Sequence, residues 1–228
     1  MLVITGLGRC GTSFLAKVLI AMNYKTGKNI NWHESVNAGL ELSTVHSINH
    51  DMYFEHLCRN GKIDLNRICL GDYWGEGGYG YTYKQAIENF DKDKKQGPVH
   101  FIKDPRFMWS PEIIKAWWRT RKDLRFIILH RDFEDVRQSR ARLPKQYDDP
   151  KRGSESVTPY KEDFADIITA MVDMRIPYKI QMFPKYLYDA KPLFRDIKEL
   201  GLQTCHFEGS RMVKEMRDLN KVHFGRRD

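Results

Sequence analysis

The chain has 228 residues, with 38 lysines and arginines against 30 acidic residues and a formal net charge of +8; that length suits one sizeable core rather than two, so one domain over 1–228 is predicted. The basic excess is spread along the chain, as on a globular surface that attracts a polyanion, and it leaves nucleic acid, an anionic membrane, a sulfated or phosphorylated sugar and a nucleotide all open. Cys10, Cys58, Cys69 and Cys205 form none of the close pairs of metal or redox motifs and read as reduced thiols, and no apolar run approaches the roughly 20 residues that span a bilayer, so zinc and a transmembrane segment are not expected.

In chain order, Leu2-Val3-Ile4-Thr5 is a short β-branched run that stops at a glycine, the pattern of a buried parallel strand. It is far too short for a signal peptide, and a cytoplasmic location is expected. From Ser13 the apolar positions Phe14, Leu15, Val18, Leu19 and Met22 recur at helical spacing. A second helix is predicted from about Leu42 to Arg59. After it, Gly71, Gly75, Gly77, Gly78 and Gly80 mark a loop carrying Tyr73, Trp74, Tyr79, Tyr81 and Tyr83. Val99 to Ile102, Leu124 to Leu129 and Tyr178 to Phe183 read as further strands. Helical segments around Glu112 to Arg119, Phe133 to Leu143, Phe164 to Met174 and Ala190 to Leu200 supply crossovers. An α/β fold follows, with a P-loop-type, doubly wound, mainly parallel sheet flanked by helices. Trp117 and Trp118 are expected in the core, and 145–156 as an exposed loop.

Gly6-Leu7-Gly8-Arg9-Cys10-Gly11-Thr12-Ser13 lies between the first strand and first helix, where backbone N–H groups and a helix N-terminus converge on phosphate. Its glycine spacing fits a P-loop, but Thr12 stands where nucleoside triphosphatases carry lysine, and the cation is instead Arg9. The sequence G-x-G-R-C-G-T-S resembles the 5′-phosphosulfate loop of the sulfotransferase family. That resemblance implies that Gly8, Arg9, Cys10, Gly11, Thr12 and Ser13 hold the 5′-phosphate and sulfonate of 3′-phosphoadenosine-5′-phosphosulfate (PAPS). Preorganised N–H donors and a cation suit the charge that builds there as sulfonate leaves.

Arg125-Phe126-Ile127-Ile128-Leu129-His130-Arg131 and the helix after it are similar to the family's 3′-phosphate site, in which an arginine just past a strand and a serine eight residues later bind the donor's 3′-phosphate. Arg131 and Ser139 have that spacing, and an arginine fork suits a doubly charged phosphate. The plain structural alternative is that Arg131 caps a helix or pairs with Asp135. Lys103-Asp104-Pro105-Arg106 resembles the K-D-P-R segment of many bacterial sulfotransferases, and Asn37-Ala38-Gly39-Leu40-Glu41 their N-P-x-G-x-E segment, with Ala38 in place of proline. The tract Asn49-His50-Asp51 belongs to the same likeness. Gly225-Arg226-Arg227 is a candidate substitute for the C-terminal glycine-rich loop of eukaryotic cytosolic members.

Sulfonate transfer requires the acceptor to lose a proton as it attacks, so a carboxylate or imidazole must reach it. By the resemblance, Glu41 is the candidate general base, with His33, Glu34, His46 and His130 as competitors, while Lys103 and Arg106 would neutralise donor charge. The alternative for Glu41 is a helix N-terminal residue held by the macrodipole. The aromatic loop could form a lid over an acceptor, which is left open among a carbohydrate, a small alcohol or phenol, a lipid-linked sugar and a protein tyrosine. The resemblance thus predicts an enzyme that uses PAPS, yields the bisphosphate PAP and needs neither a metal nor nucleic acid. The rivals are a P-loop kinase or NTPase, a basic nucleic-acid-binding protein, and a degenerate member that binds PAP without transferring sulfonate.

Overall fold

The computed structural model describes residues 1–28, 30–33, 38–68, 81–92, 97–142, 156–201, 214–216 and 218, with the backbone alone at 31–33 and 38. Strand β1 (Leu2–Thr5) is followed by the loop 6–11 and helix α1 (Thr12–Ala21). A hairpin of β2 (Ile30–His33) and β3 (Ala38–Leu42) leads into α2 (Ser43–Cys58). After α3 (Tyr83–Asn89) come β4 (Phe101–Lys103), a 3₁₀ turn (Pro105–Met108) and α4 (Pro111–Thr120). Strand β5 (Arg125–His130) with α5 (Phe133–Ala141), then α6 (Thr158–Asp173), β6 (Tyr178–Met182), α7 (Lys185–Tyr188) and α8 (Lys191–Glu199) complete the order.

Strands β4, β1, β5 and β6 form one sheet in that order, every neighbouring pair parallel. The register sets Val3 beside Ile102 and Phe126, and Ile4 beside Lys103 and Ile127. The two inner strands, β1 and β5, are buried along their centres, as strands covered on both faces require; edge strand β4 is also buried, whereas edge strand β6 is only partly so. Helix α1 packs on β1 and β4, while α4 packs on α2, α3 and α6. Phe14, Leu15, Phe107, Trp117 and Phe126 fill the space between these layers. The chain goes from β1 to β4 on one side and later to β5 on the other, so β1 sits where the winding changes direction. At such a point the loops leaving the carboxyl ends of adjacent strands diverge and open a crevice.

The predicted strands and helices are present within one to two residues at most ends, and Trp117 is in the core. Helix α6 begins at Thr158, six residues before the predicted segment, because Pro159 suits the first turn and Tyr160 supplies another buried position. Three elements depart from expectation. The segment with Glu41 is not a helix start but strand β3, paired antiparallel with β2. Tyr83 is not in the aromatic loop; it opens α3 and is 3% exposed, whereas Tyr81 is 54% exposed. A short α7 follows β6. The rest of the aromatic loop (71–80), 145–155 and the 225–227 tract lie outside the described residues. Among the described residues no helix is long and apolar enough to cross a membrane.

Candidate functional site

The loop after β1 has a shape that its glycines permit. Gly8, Arg9 and Gly11 all have φ in the left-handed region, at 81°, 58° and 80°. A Cβ at Gly6 would come within 2.5 Å of the Leu129 carbonyl oxygen, so the loop is pressed against the end of β5. Gly11 is the cap residue of α1, with no side-chain cap and no acidic residue in the first turn, which leaves the positive end of the helix facing the sheet's carboxyl edge. Thr12 and Ser13 open that helix; Thr12 is buried.

Behind Gly11 stand Phe183 and Tyr186. The Tyr186 hydroxyl donates to the Gly11 carbonyl at 3.1 Å, and complete burial pushes this phenol well above its ordinary pKa, so it remains a neutral donor. Cys10 points inward and donates to the Gly8 carbonyl at 3.3 Å, and burial raises its thiol to about 12. The thiol is thus a packing group, not a nucleophile.

Arg9 turns away from the loop toward α5, where its Nε donates to Ser139 Oγ at 3.0 Å. Arg131, at the end of β5, has its guanidinium 5.4 Å from the Phe183 ring centre, is paired through Nε with Asp135 Oδ2 at 3.1 Å and directs Nη1 to the Arg9 carbonyl at 3.4 Å. The Asp135 pair that the sequence offered as a plain structural role is therefore present, and the same guanidinium also reaches the loop. Asp132 caps α5 by accepting from the backbone N–H groups of Glu134 and Asp135, which fixes where that helix starts and hence where Ser139 falls.

On the other side of the loop, the hairpin carries a bulge. Asn31 faces Glu41 but Trp32 faces Gly39, so Leu40 is the extra residue, with φ 66°, beside Gly39 at φ 119°. A bulge re-aims the groups next to it. Here the Gly39 carbonyl accepts from Lys103 Nζ at 2.8 Å and from Ser13 Oγ at 3.3 Å. Lys103 also binds Glu41 Oε1 in a short ion pair, and the two residues are 2% and 4% exposed. Three segments far apart in sequence thus meet at one carbonyl.

A buried polar chain begins at the next residue, Asp104. Asp104 accepts from Asn49 Nδ2 at 3.1 Å and from the Arg106 side chain at 3.1 Å, and Asn49 accepts from Trp117 Nε1 at 2.6 Å. Burial raises the Asp104 carboxyl above its ordinary range, against the opposing pull of Arg106. Arg106 spends its charge on Asp104 and stacks 5.1 Å from the Trp109 ring centre.

Of the proton acceptors named from the sequence, Glu41 is at the site, held by Lys103. His46 is buried on α2 and stacks with His50 at 6.2 Å. His130 lies between Phe133 and Phe164, both at 4.8 Å, and burial lowers its pKa, so the ring is held neutral among aromatic side chains. The side chain of His33, all of Glu34, and Arg226 and Arg227 lie outside what is described. Sequence reasoning missed Tyr186 and Arg140. Tyr186 follows β6 in a stretch with no motif, and Arg140 reads as an ordinary basic helix end.

No protein-family model matches the chain, and no curated protein matches it either.

Proposed function

We propose that this chain is a PAPS-dependent sulfotransferase built on a P-loop-type, doubly wound sheet. The observation that carries the reading is the contact between Arg9 and Ser139. Arg9 belongs to the loop that resembles the family's 5′-phosphosulfate site, and Ser139 to the segment that resembles its 3′-phosphate site. The two are 130 residues apart, yet their side chains meet, with Arg131 beside them. A donor with phosphates at both ends of its ribose needs two such anion sites within one nucleotide's reach.

In this reading the N–H groups of the loop and of the first turn of α1 hold the 5′-phosphosulfate, while Arg131 and Ser139 take the 3′-phosphate in exchange for Asp135 and Arg9. The S–O bond to the 5′-phosphate breaks as the acceptor oxygen or nitrogen attacks in line. Its electron pair goes to the bridging oxygen, where Arg9 and Lys103 stabilise charge. Glu41 receives the acceptor's proton, and to do so it exchanges Lys103 for that proton.

The buried Glu41–Lys103 pair also favours a second reading, a nucleotide-binding protein whose base no longer opens. Incubation with PAPS and a panel of carbohydrate, alcohol and phenol acceptors tests both. PAP release with an 80 Da mass gain on one acceptor, the increment of a sulfonate replacing a proton (about 80 Da from atomic masses), supports transfer. Tight PAP binding without turnover on any acceptor supports the second reading.

A further inference from the structure

Besides Arg131, a second guanidinium reaches the loop backbone, that of Arg140. It follows Ser139 in the last turn of α5, is 4% exposed, and holds its guanidinium 5.2 Å from the Tyr160 ring centre. The same group lies against the backbone of Gly8: a Cβ built there would stand 3.3 Å from Arg140 Nη2 and 3.6 Å from Nε. A side chain at Gly8 would be strained by its φ of 81° and would also push Arg140 back by a few tenths of an ångström. The charge is felt inside the loop, where Arg140 and Arg131 both oppose the effect of burial on Cys10.

We infer that Arg140 is a positioning residue for anion binding: from beneath Gly8 it holds the left-handed pair Gly8 and Arg9 in place and adds positive potential to the loop without touching the ligand. The inference rests on the reading that the loop 6–13 binds an anion, and does not depend on which nucleotide carries it. Arginine suits the task because it stays charged when buried, is weakly hydrated and stacks flat on an aromatic ring. Like charges around one loop repel each other, and an anion bound among them offsets that repulsion by attracting each of them. Across roughly 8 Å at an effective dielectric near 20, one such charge changes affinity by at least about tenfold.

The test is calorimetric titration of the whole chain with inorganic pyrophosphate and, separately, with PAP. Arg140→Met is expected to weaken pyrophosphate binding about tenfold or more, and Arg140→Lys, which keeps the charge, to recover most of it. Arg140→Gln replaces the Met variant if that one does not fold. A neutral variant that binds pyrophosphate as the parent does overturns the inference, and so does a Lys variant as weak as the neutral one, because then shape and not charge is at work. A parent protein that binds neither probe also overturns it. A parent that binds pyrophosphate as tightly as PAP contradicts the PAPS reading, while the Arg140 inference stands if the neutral variant loses that binding.

Discussion

Gly11 has no room for a side chain. A Cβ there would come within 2.5 Å of Phe183 Cδ2 and 2.6 Å of the Tyr186 hydroxyl, and the backbone is already in the left-handed region. Left-handed strain costs about 1–2 kcal/mol and overpacking about 1–3 kcal/mol. Gly11→Ala is therefore expected to lose about 2–5 kcal/mol in urea unfolding; a loss below about 0.5 kcal/mol, the range of neutral surface changes, contradicts the packing described. Glu41 makes a different case. Glu41→Gln leaves the Lys103 ammonium buried without its carboxylate, and breaking a buried pair from one side costs about 3–5 kcal/mol. Combining it with Lys103→Met is expected to recover much of that loss, and a double variant as unstable as the single one argues against the pair. Where Glu41→Gln remains folded, the proposed chemistry predicts unchanged PAP affinity and transfer slower by about 10²–10⁴-fold. The sequence showed Glu41 and Lys103 as separate candidates. It could not show that they bind each other, because that contact depends on a bulge at Leu40, a residue type that rarely takes positive φ.

At the scale of elements, what was legible followed hydrophobic pattern. Strands β1 and β5 are apolar runs ended by glycine or charge, and α1 has its apolar positions at helical spacing, so both flanks of the loop were readable. The β2–β3 hairpin was not read, although Ile30-Asn31-Trp32-His33 and Gly39-Leu40-Glu41-Leu42 alternate, because runs of four and five residues are too short to stand out and pairing with a bulge is a tertiary outcome. Helix α3 did leave a signal. Thr82 and Gln85 form a reciprocal capping box, visible in the sequence as a threonine three residues before a glutamine, but the tyrosines around it suggested a loop. Helix α5 matters most for the site because it carries both Ser139 and Arg140. Its start depends on Asp132, and Asp132→Ala is expected to cost about 1 kcal/mol of stability. Since a frayed first turn loosens the helix that positions Ser139, PAP affinity should fall as well. Calorimetry and urea unfolding of the one variant measure both, and a stability loss with unchanged PAP affinity separates the cap from the site.

For the whole molecule, the sheet order puts β1 at the change of winding, and the loop, the end of β4 and the end of β5 all open at that carboxyl edge. The net charge of +8 adds a general attraction of the chain for anions. Stability should also depend on pH through His130. Its folded pKa is lowered by burial, so the contribution is intact above the ordinary value of 6.5 and is lost as pH falls through it toward the folded pKa. Replacing His130 by phenylalanine should flatten unfolding stability between about pH 7 and 5 relative to the parent; an identical slope argues that this ring is not desolvated. In the proposed function the loop, with Arg131 and Ser139, reads a nucleotide with phosphate at both ends. Thermal unfolding with PAP, and in parallel with ATP and magnesium, tests it most directly. Ligand at a hundred times its dissociation constant stabilises by about 2.7 kcal/mol. PAP is predicted to raise Tm well above the shift given by ATP at equal concentration, and ATP with magnesium stabilising the chain as much as PAP contradicts the account.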